Sequence, residues 1–164
     1  MKPTLMIAAA LAVGLVGLAR ADDPAPATTP NAAPAAVGMT QSIVTARKSA
    51  FGLSSVVFGG MRPVIDAGGD VKPLTRGARM LARWARAMPV MFPAGSDGDR
   101  TGASAAVWSD RPGFEAAAGR YAEAATKLAQ LADANDKAGF AAQYKVVGQA
   151  CDACHKVYRL PEQH

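Results

Sequence analysis

Sulfur and imidazole are scarce in this chain: 164 residues hold 2 cysteines and 2 histidines, and all four lie beyond residue 150, as Cys151, Cys154, His155 and His164. So few cysteines exclude a disulfide-stapled scaffold. A four-ligand zinc site would have to recruit the terminal His164, beyond Pro161. Runs of lysine or arginine are also missing. With 18 basic side chains dispersed among 13 acidic ones, the sequence offers no concentrated positive block of the kind nucleic-acid binding needs. Long apolar runs are absent except at the start, where Leu5 to Ala19 is almost wholly apolar. That run is shorter than the roughly 20 residues of a membrane span, and Arg20 stands directly behind it. With Lys2 ahead of it and the small-x-small pattern Ala19-Arg20-Ala21 after it, residues 1–21 read as an export signal, with a retained anchor as the competing reading. The exported chain then starts near Asp22 and has no stable membrane insertion.

Residues 22–38 are proline, alanine and threonine, including Pro24, Pro26, Pro30 and Pro34, with almost nothing bulky to bury. They read as a disordered or polyproline-like leader acting as a spacer. From residue 39 to 164 one domain of ordinary size is expected. Its apolar residues recur at three and four, the helical period, in four stretches. The first, about Thr40 to Met61, aligns Val44, Phe51, Ser54, Phe58 and Met61, with Arg47 interrupting the stripe and Pro63 limiting the helix. The second, about Leu74 to Met88, aligns Leu74, Ala78, Leu81, Ala85 and Met88, and Pro89 ends it. Between Pro89 and Pro112 a Gly, Pro, Ser and Asp-rich segment reads as a long irregular loop. The third stretch, about Gly113 to Ala134, aligns Phe114, Ala118, Tyr121, Ala125, Leu128 and Ala132. The last, about Lys137 to Arg159, aligns Phe140, Tyr144, Val147, Cys151, Cys154 and Tyr158. Short helix-to-helix links favour antiparallel neighbours, so the fold expected is all-α, an antiparallel four-helix bundle.

The chemistry is concentrated in Cys151-Asp152-Ala153-Cys154-His155, the pattern of covalent c-type haem attachment. Thiols three apart on a helix share one side, within reach of two vinyl groups of one porphyrin, and His155 follows to meet the iron as proximal ligand. Other readings are weaker. A disulfide-exchange pair should open a helix after a strand, where the helix N-terminus activates a thiol, whereas this pair lies near the end of the final helix. A disulfide within one helical turn is geometrically poor and would leave His155 without a role. A second imidazole ligand would have to be His164, at the extreme C-terminus.

Four helices with the attachment site on the last resemble the cytochrome c′ family, the class II c-type cytochromes. Val147 to Arg159 resembles that family's last helix, Arg47-Lys48-Ser49-Ala50-Phe51 its first-helix segment, Met88-Pro89 to Pro93 with Gly95-Ser96 its loop after helix two, and Val107-Trp108-Ser109 the segment before helix three. The proline-rich leader is a departure from the family. The resemblance implies one haem c on Cys151 and Cys154 and places Phe51 opposite His155. A phenyl ring cannot ligate iron, so the metal is expected to be high-spin and five-coordinate. Related low-spin members carry a methionine ligand on this helix. Here Met39 stands twelve residues before Phe51, about 18 Å away along a helix, and Met61 ten residues after it. An apolar open position favours NO and CO over dioxygen, which needs a distal donor.

Arg47, one turn before Phe51, suits a haem propionate, and Lys48 is a second candidate; a solvated helix charge is the bland reading of both. Arg159 either borders the proximal face, as an arginine there does in the family, or complements the helix dipole. Thr101 and its loop are expected at the haem edge, and Phe51 doubles as core packing. The functional reading is a periplasmic gas-binding haem protein capable of one-electron transfer, not an enzyme, with an undefined redox partner and a homodimer formed through the first two helices. The competing reading is a dedicated electron carrier of low-spin c-556 type. A peroxidase would need a distal acid or base that Phe51 does not supply.

Overall fold

The computed structural model describes residues 32–98 and 101–161, and over this range the chain is helical with no strand. Six helices follow one another: α1 (Ala32–Gly59), α2 (Arg62–Asp66), α3 (Thr75–Ala87), α4 (Ala106–Ser109), α5 (Arg111–Asp133) and α6 (Lys137–Tyr158). The long elements α1, α3, α5 and α6 form an antiparallel four-helix bundle, and α2 and α4 are single turns in the connections. The expected export signal, the leader as far as residue 31, and His164 lie outside the described residues. None of the described helices is long and apolar enough to cross a membrane.

Two local expectations are corrected. The first helix starts at Ala32 and not near Thr40, so residues 32–38 are its opening turns and not part of an irregular leader. Alanine is the strongest helix former, and Pro34 falls in the first turn, where backbone N–H groups have no helical acceptor to lose. The loop after helix two is also more ordered than its composition suggests. Met88–Met91 is a 3-10 turn and Ala106–Ser109 a helical turn. Arg111 ties the first of these down, donating to Pro89 O at 2.7 Å and Phe92 O at 2.9 Å. Val107 anchors the second by burying its side chain completely.

The ends of α5 and α6 are capped in the same way. The Asp110 carboxylate accepts from Gly113 N at 3.2 Å and the Asp136 carboxylate from Gly139 N at 2.9 Å, satisfying first-turn donors. A Cβ at Gly113 would collide with the Asp110 carboxylate and the Tyr158 hydroxyl, which accounts for glycine there. Every residue of the predicted α5 stripe is buried. Around it the core gathers Leu81 and Ala85 of α3, Phe92, Val107, and Phe140 and Val147 of α6.

Candidate functional site

The haem-attachment motif occupies the last turns of α6, and there the packing opens into two adjoining cavities of about 360 and 280 Å³. Phe51, Ser55, Met88, Cys154 and His155 line both. The larger also meets Arg47, Lys48, Thr101 and Arg159 at its rim, with Phe92, Phe114 and Tyr158 inside. The smaller reaches Cys151, Phe58, Tyr121 and Gly148. All eight residues singled out from the sequence therefore surround one paired space, although α1, the Thr101 loop and α6 are far apart in the chain.

Arg47 is the interruption in the α1 stripe, and its surroundings give the reason. The side chain is only 1% exposed, so the solvated-charge alternative fails for it. Its guanidinium donates to Met91 O at 3.2 Å, to Ser96 Oγ at 2.8 Å, to Ser96 O at 2.6 Å and to Thr101 Oγ1. It also lies over the Phe92 ring, 4.4 Å from the centroid. Burial lowers its pKa, yet the four N–H groups of its two Nη atoms face four acceptors and the cation lies on an aromatic face, and a guanidinium keeps its proton in such a setting. Arg47 therefore pins the 91–101 loop to α1. The loop is held at its far side too, because Leu160 N donates to Gly102 O at 2.9 Å and Ser104 N to Tyr158 O at 3.0 Å. Lys48 is exposed beside it.

The donor set fits a c-type haem. Cys151 and Cys154 are free, half-buried thiols one helical turn apart. Burial pushes the Cys151 thiol up to about 11, with Asp152 adding to the shift, and burial raises Cys154 as well. Both are neutral thiols near pH 7. For His155, burial and then Arg159 lower the pKa, against a smaller opposing pull from Asp152, which favours the neutral imidazole that can bind a metal. Two buried donors find no partner among the described residues: Nε of Arg47, which lines the larger cavity, and Trp84 Nε1, whose ring stands edge-on to Phe51 at 5.1 Å. An unsatisfied buried donor costs about 1–3 kcal/mol. A ligand with carboxylates in the larger cavity, which Arg47 lines, is the complement its Nε lacks. No group of three or more His, Cys, Asp or Glu that could hold a bare metal ion occurs among the described residues.

Met88 is one of several wall residues, with Ser55, Phe92 and Phe114, that sequence reasoning did not assign to the site. It reads as the last member of the α3 stripe, and only the tertiary fold shows that this end of α3 abuts the cavity. Tyr158 was placed on the α6 stripe but not linked to Asp110, to which its hydroxyl donates at 2.8 Å.

Residues 42–159 match the family described as cytochrome C′. Cytochrome c′ of Rhodospirillum rubrum is 36% identical over 83 residues, 50% of this chain and 56% of that protein, so the match spans little more than half the relative's length. Cytochrome c-556 of Agrobacterium tumefaciens strain B2A is 39% identical over 79 residues, 46% of this chain and 61% of that protein. Among solved structures, the nitric oxide complex of a mutant cytochrome c prime from Alcaligenes xylosoxidans superposes with a TM-score of 0.69 at 28% identity, covering 75% of this chain and 97% of that one. Sequence, bundle and attachment turn agree: the chain belongs to the cytochrome c′ family, whose members carry a covalently bound haem c.

Proposed function

We propose that this protein is a periplasmic, gas-binding haem protein in which Cys151 and Cys154 hold the haem and His155 is the proximal iron ligand. The single observation that carries the reading is that Phe51 faces the same two cavities as His155. An aromatic ring there offers no lone pair to the metal and no hydrogen bond to a ligand. With haem bound it would keep water out and leave the iron five-coordinate, with an apolar open position suited to NO and CO. The chemistry supplied by bound haem is capture of a small gas or exchange of one electron. Arg47, Lys48 and Arg159, which line the larger cavity, would offer cationic groups to the haem carboxylates, and Thr101 on the same wall would stand at the haem edge. The likeness to a nitric oxide complex supports this choice of ligand.

Met88 favours a second reading. Its thioether is buried, and it lines both cavities, so a low-spin electron carrier would take its sixth ligand from the 3-10 turn after α3 and not from Met39, which is 70% exposed. The likeness to a cytochrome c-556 points the same way. Resonance Raman spectra of the ferrous protein separate the two. A five-coordinate high-spin spectrum that Met88→Leu leaves unchanged, with CO association about tenfold faster in Phe51→Ala, equivalent to about 1.4 kcal/mol of barrier, is the expected result. A low-spin spectrum converted to high-spin by Met88→Leu overturns the gas-binding reading. Leu53 and Val56 on α1 and Met80 on α3 are 67%, 73% and 51% exposed, and this apolar face suits a homodimer, which sedimentation at several concentrations tests.

A further inference from the structure

Helix α3 carries four arginines and no acid: Arg76, Arg79, Arg83 and Arg86 within TRGARMLARWARA. Steps of three, four and three put them on one face, and all four are exposed. No acidic residue occurs from Val71 to Ser96, while Lys72 adds a further base. Charges dispersed in the sequence thus become a row in the fold. Locally the row is unfavourable, since like charges one turn apart cost about 0.2–0.5 kcal/mol per pair and Arg76 sits at the positive end of the helix dipole. Core packing does not require it either, because the inward positions are Ala78, Leu81, Ala82 and Ala85.

Compensation from the protein is partial. Arg79 Nη2 approaches Asp133 Oδ1 at 3.5 Å, with both side chains more than half exposed. Arg86 Nη2 donates to the neutral Thr126 hydroxyl at 2.8 Å. Arg76 and Arg83 have no acidic partner among the described residues. Arg79, Arg83 and Arg86 line a cleft of about 220 Å³ against Thr126, Gln130 and Asp133 of α5.

The row selects its ligand by length and shape. Ten residues of helix span about 15 Å, so one small anion meets two guanidiniums at most, whereas an acidic protein surface meets all four. Planar guanidiniums pair with carboxylates two bonds at a time. A concave cleft takes a ridge of side chains, whereas a flat lipid surface reaches only the outermost charges. The other side of α3 is used differently. Gly77 there lies against Val57 and Met61, and Trp84 lies against Phe51, so that side is already covered by the chain's own α1. Arg86 also stands two residues before Met88, a wall of the haem cavity.

We propose that the arginine row of α3, with its cleft against α5, is the docking surface for an acidic electron-transfer protein. The electron-transfer part rests on the haem reading above; the docking part does not. One electron leaves the partner's reduced centre and the ferric iron becomes ferrous, with no bond made or broken. Steered encounters of this kind are fast at low salt and lose rate as salt screens them.

The test is stopped-flow reduction of the ferric holoprotein by reduced flavodoxin, an acidic one-electron donor, beside a neutral hydroquinone. With Arg83→Gln and Arg86→Gln combined, the flavodoxin rate should fall about tenfold or more at low salt and lose most of its salt dependence, while the hydroquinone rate stays the same. Equal flavodoxin rates for wild type and variant overturn the proposal. So does binding of phosphatidylserine vesicles that the variant loses while its flavodoxin rate is unchanged, because the row is then a lipid site. If no haem band is reduced by either donor, the haem reading fails by itself. Anisotropy titration of labelled flavodoxin then decides the docking, with about tenfold weaker binding by the variant expected and equal binding overturning it.

Discussion

Helices α5 and α6 are almost the same length, 23 and 22 residues, and both show a clear apolar stripe, yet they are used in opposite ways. In α5 ten residues are buried, from Phe114 to Ala132, many of them alanines that let α3 and α6 approach closely. In α6 only Phe140 and Val147 are buried, and none is after Val147. Cys151, Cys154 and Tyr158 continue the stripe but border a cavity. Periodicity identifies the face that must be covered and is silent about what covers it. On α5 the cover is protein, and on the second half of α6 it is a cavity that the proposed haem would fill.

The largest expected effect breaks this contrast. Replacing both cysteines, Cys151→Ala with Cys154→Ala, should remove the haem mass from the exported protein and lower its thermal midpoint by more than about 10 °C, since each kcal/mol lost is about 2–8 °C in a domain of this size. Hydrogen exchange should locate the loss. Protection should vanish over residues 148–158 and persist over 114–132. An even loss across both helices would show that α6 does not depend on the cofactor more than α5 does.

The same contrast explains what could be read in advance. Four helices, the α5 stripe and the attachment turn were legible because each is local: a period, a cap, a motif. Phe51 was placed by the resemblance of Arg47 to Phe51 to the family's first-helix segment. The start of α1 was missed because proline content outweighed the alanines around Pro34. The role of Arg47 was half legible, as a polar break in an apolar stripe. Its acceptors were not, because two of the four are main-chain carbonyls, those of Met91 and Ser96, more than 40 residues away, and carbonyls leave no trace in composition. Met88 was hidden for a related reason, since a stripe residue looks the same whether it meets a helix or a cavity. The arginine row was visible as residues and invisible as a field, which depends on the neighbouring face of α5 offering a single carboxylate, Asp133, to the cleft.

A change of intermediate size sharpens the comparison on the α1 side. Arg47→Met keeps volume and apolar contact with Phe92 but removes every donor to Met91 O, Ser96 O, Ser96 Oγ and Thr101 Oγ1. Buried acceptors left unsatisfied should cost about 2–4 kcal/mol. Urea unfolding should show this as a lower midpoint at unchanged slope. Arg47→Lys should recover little, because an ammonium on a flexible stem cannot reproduce the fork that reaches three loop residues at once. A loss in Arg47→Met no larger than that of an exposed substitution would mean the loop is held by its contacts to Tyr158 and Leu160 instead.

The smallest effect lies where α5 and α6 meet. Tyr158→Phe keeps the ring against Phe114, whose centroid is 5.3 Å away, and removes only the hydroxyl that donates to Asp110. Asp110 still caps α5 through Gly113 N, so the thermal midpoint should drop by only about 1–3 °C. Its pH dependence carries the information. The bond to Asp110 is the main reason the Tyr158 pKa is raised, with burial adding to it. The wild-type advantage should therefore be complete below the ordinary tyrosine value near 10 and be lost as pH rises through the higher folded-state value. An advantage that stays constant up to pH 11 would mean the two helices are joined at this end by ring packing, with the hydroxyl irrelevant to it.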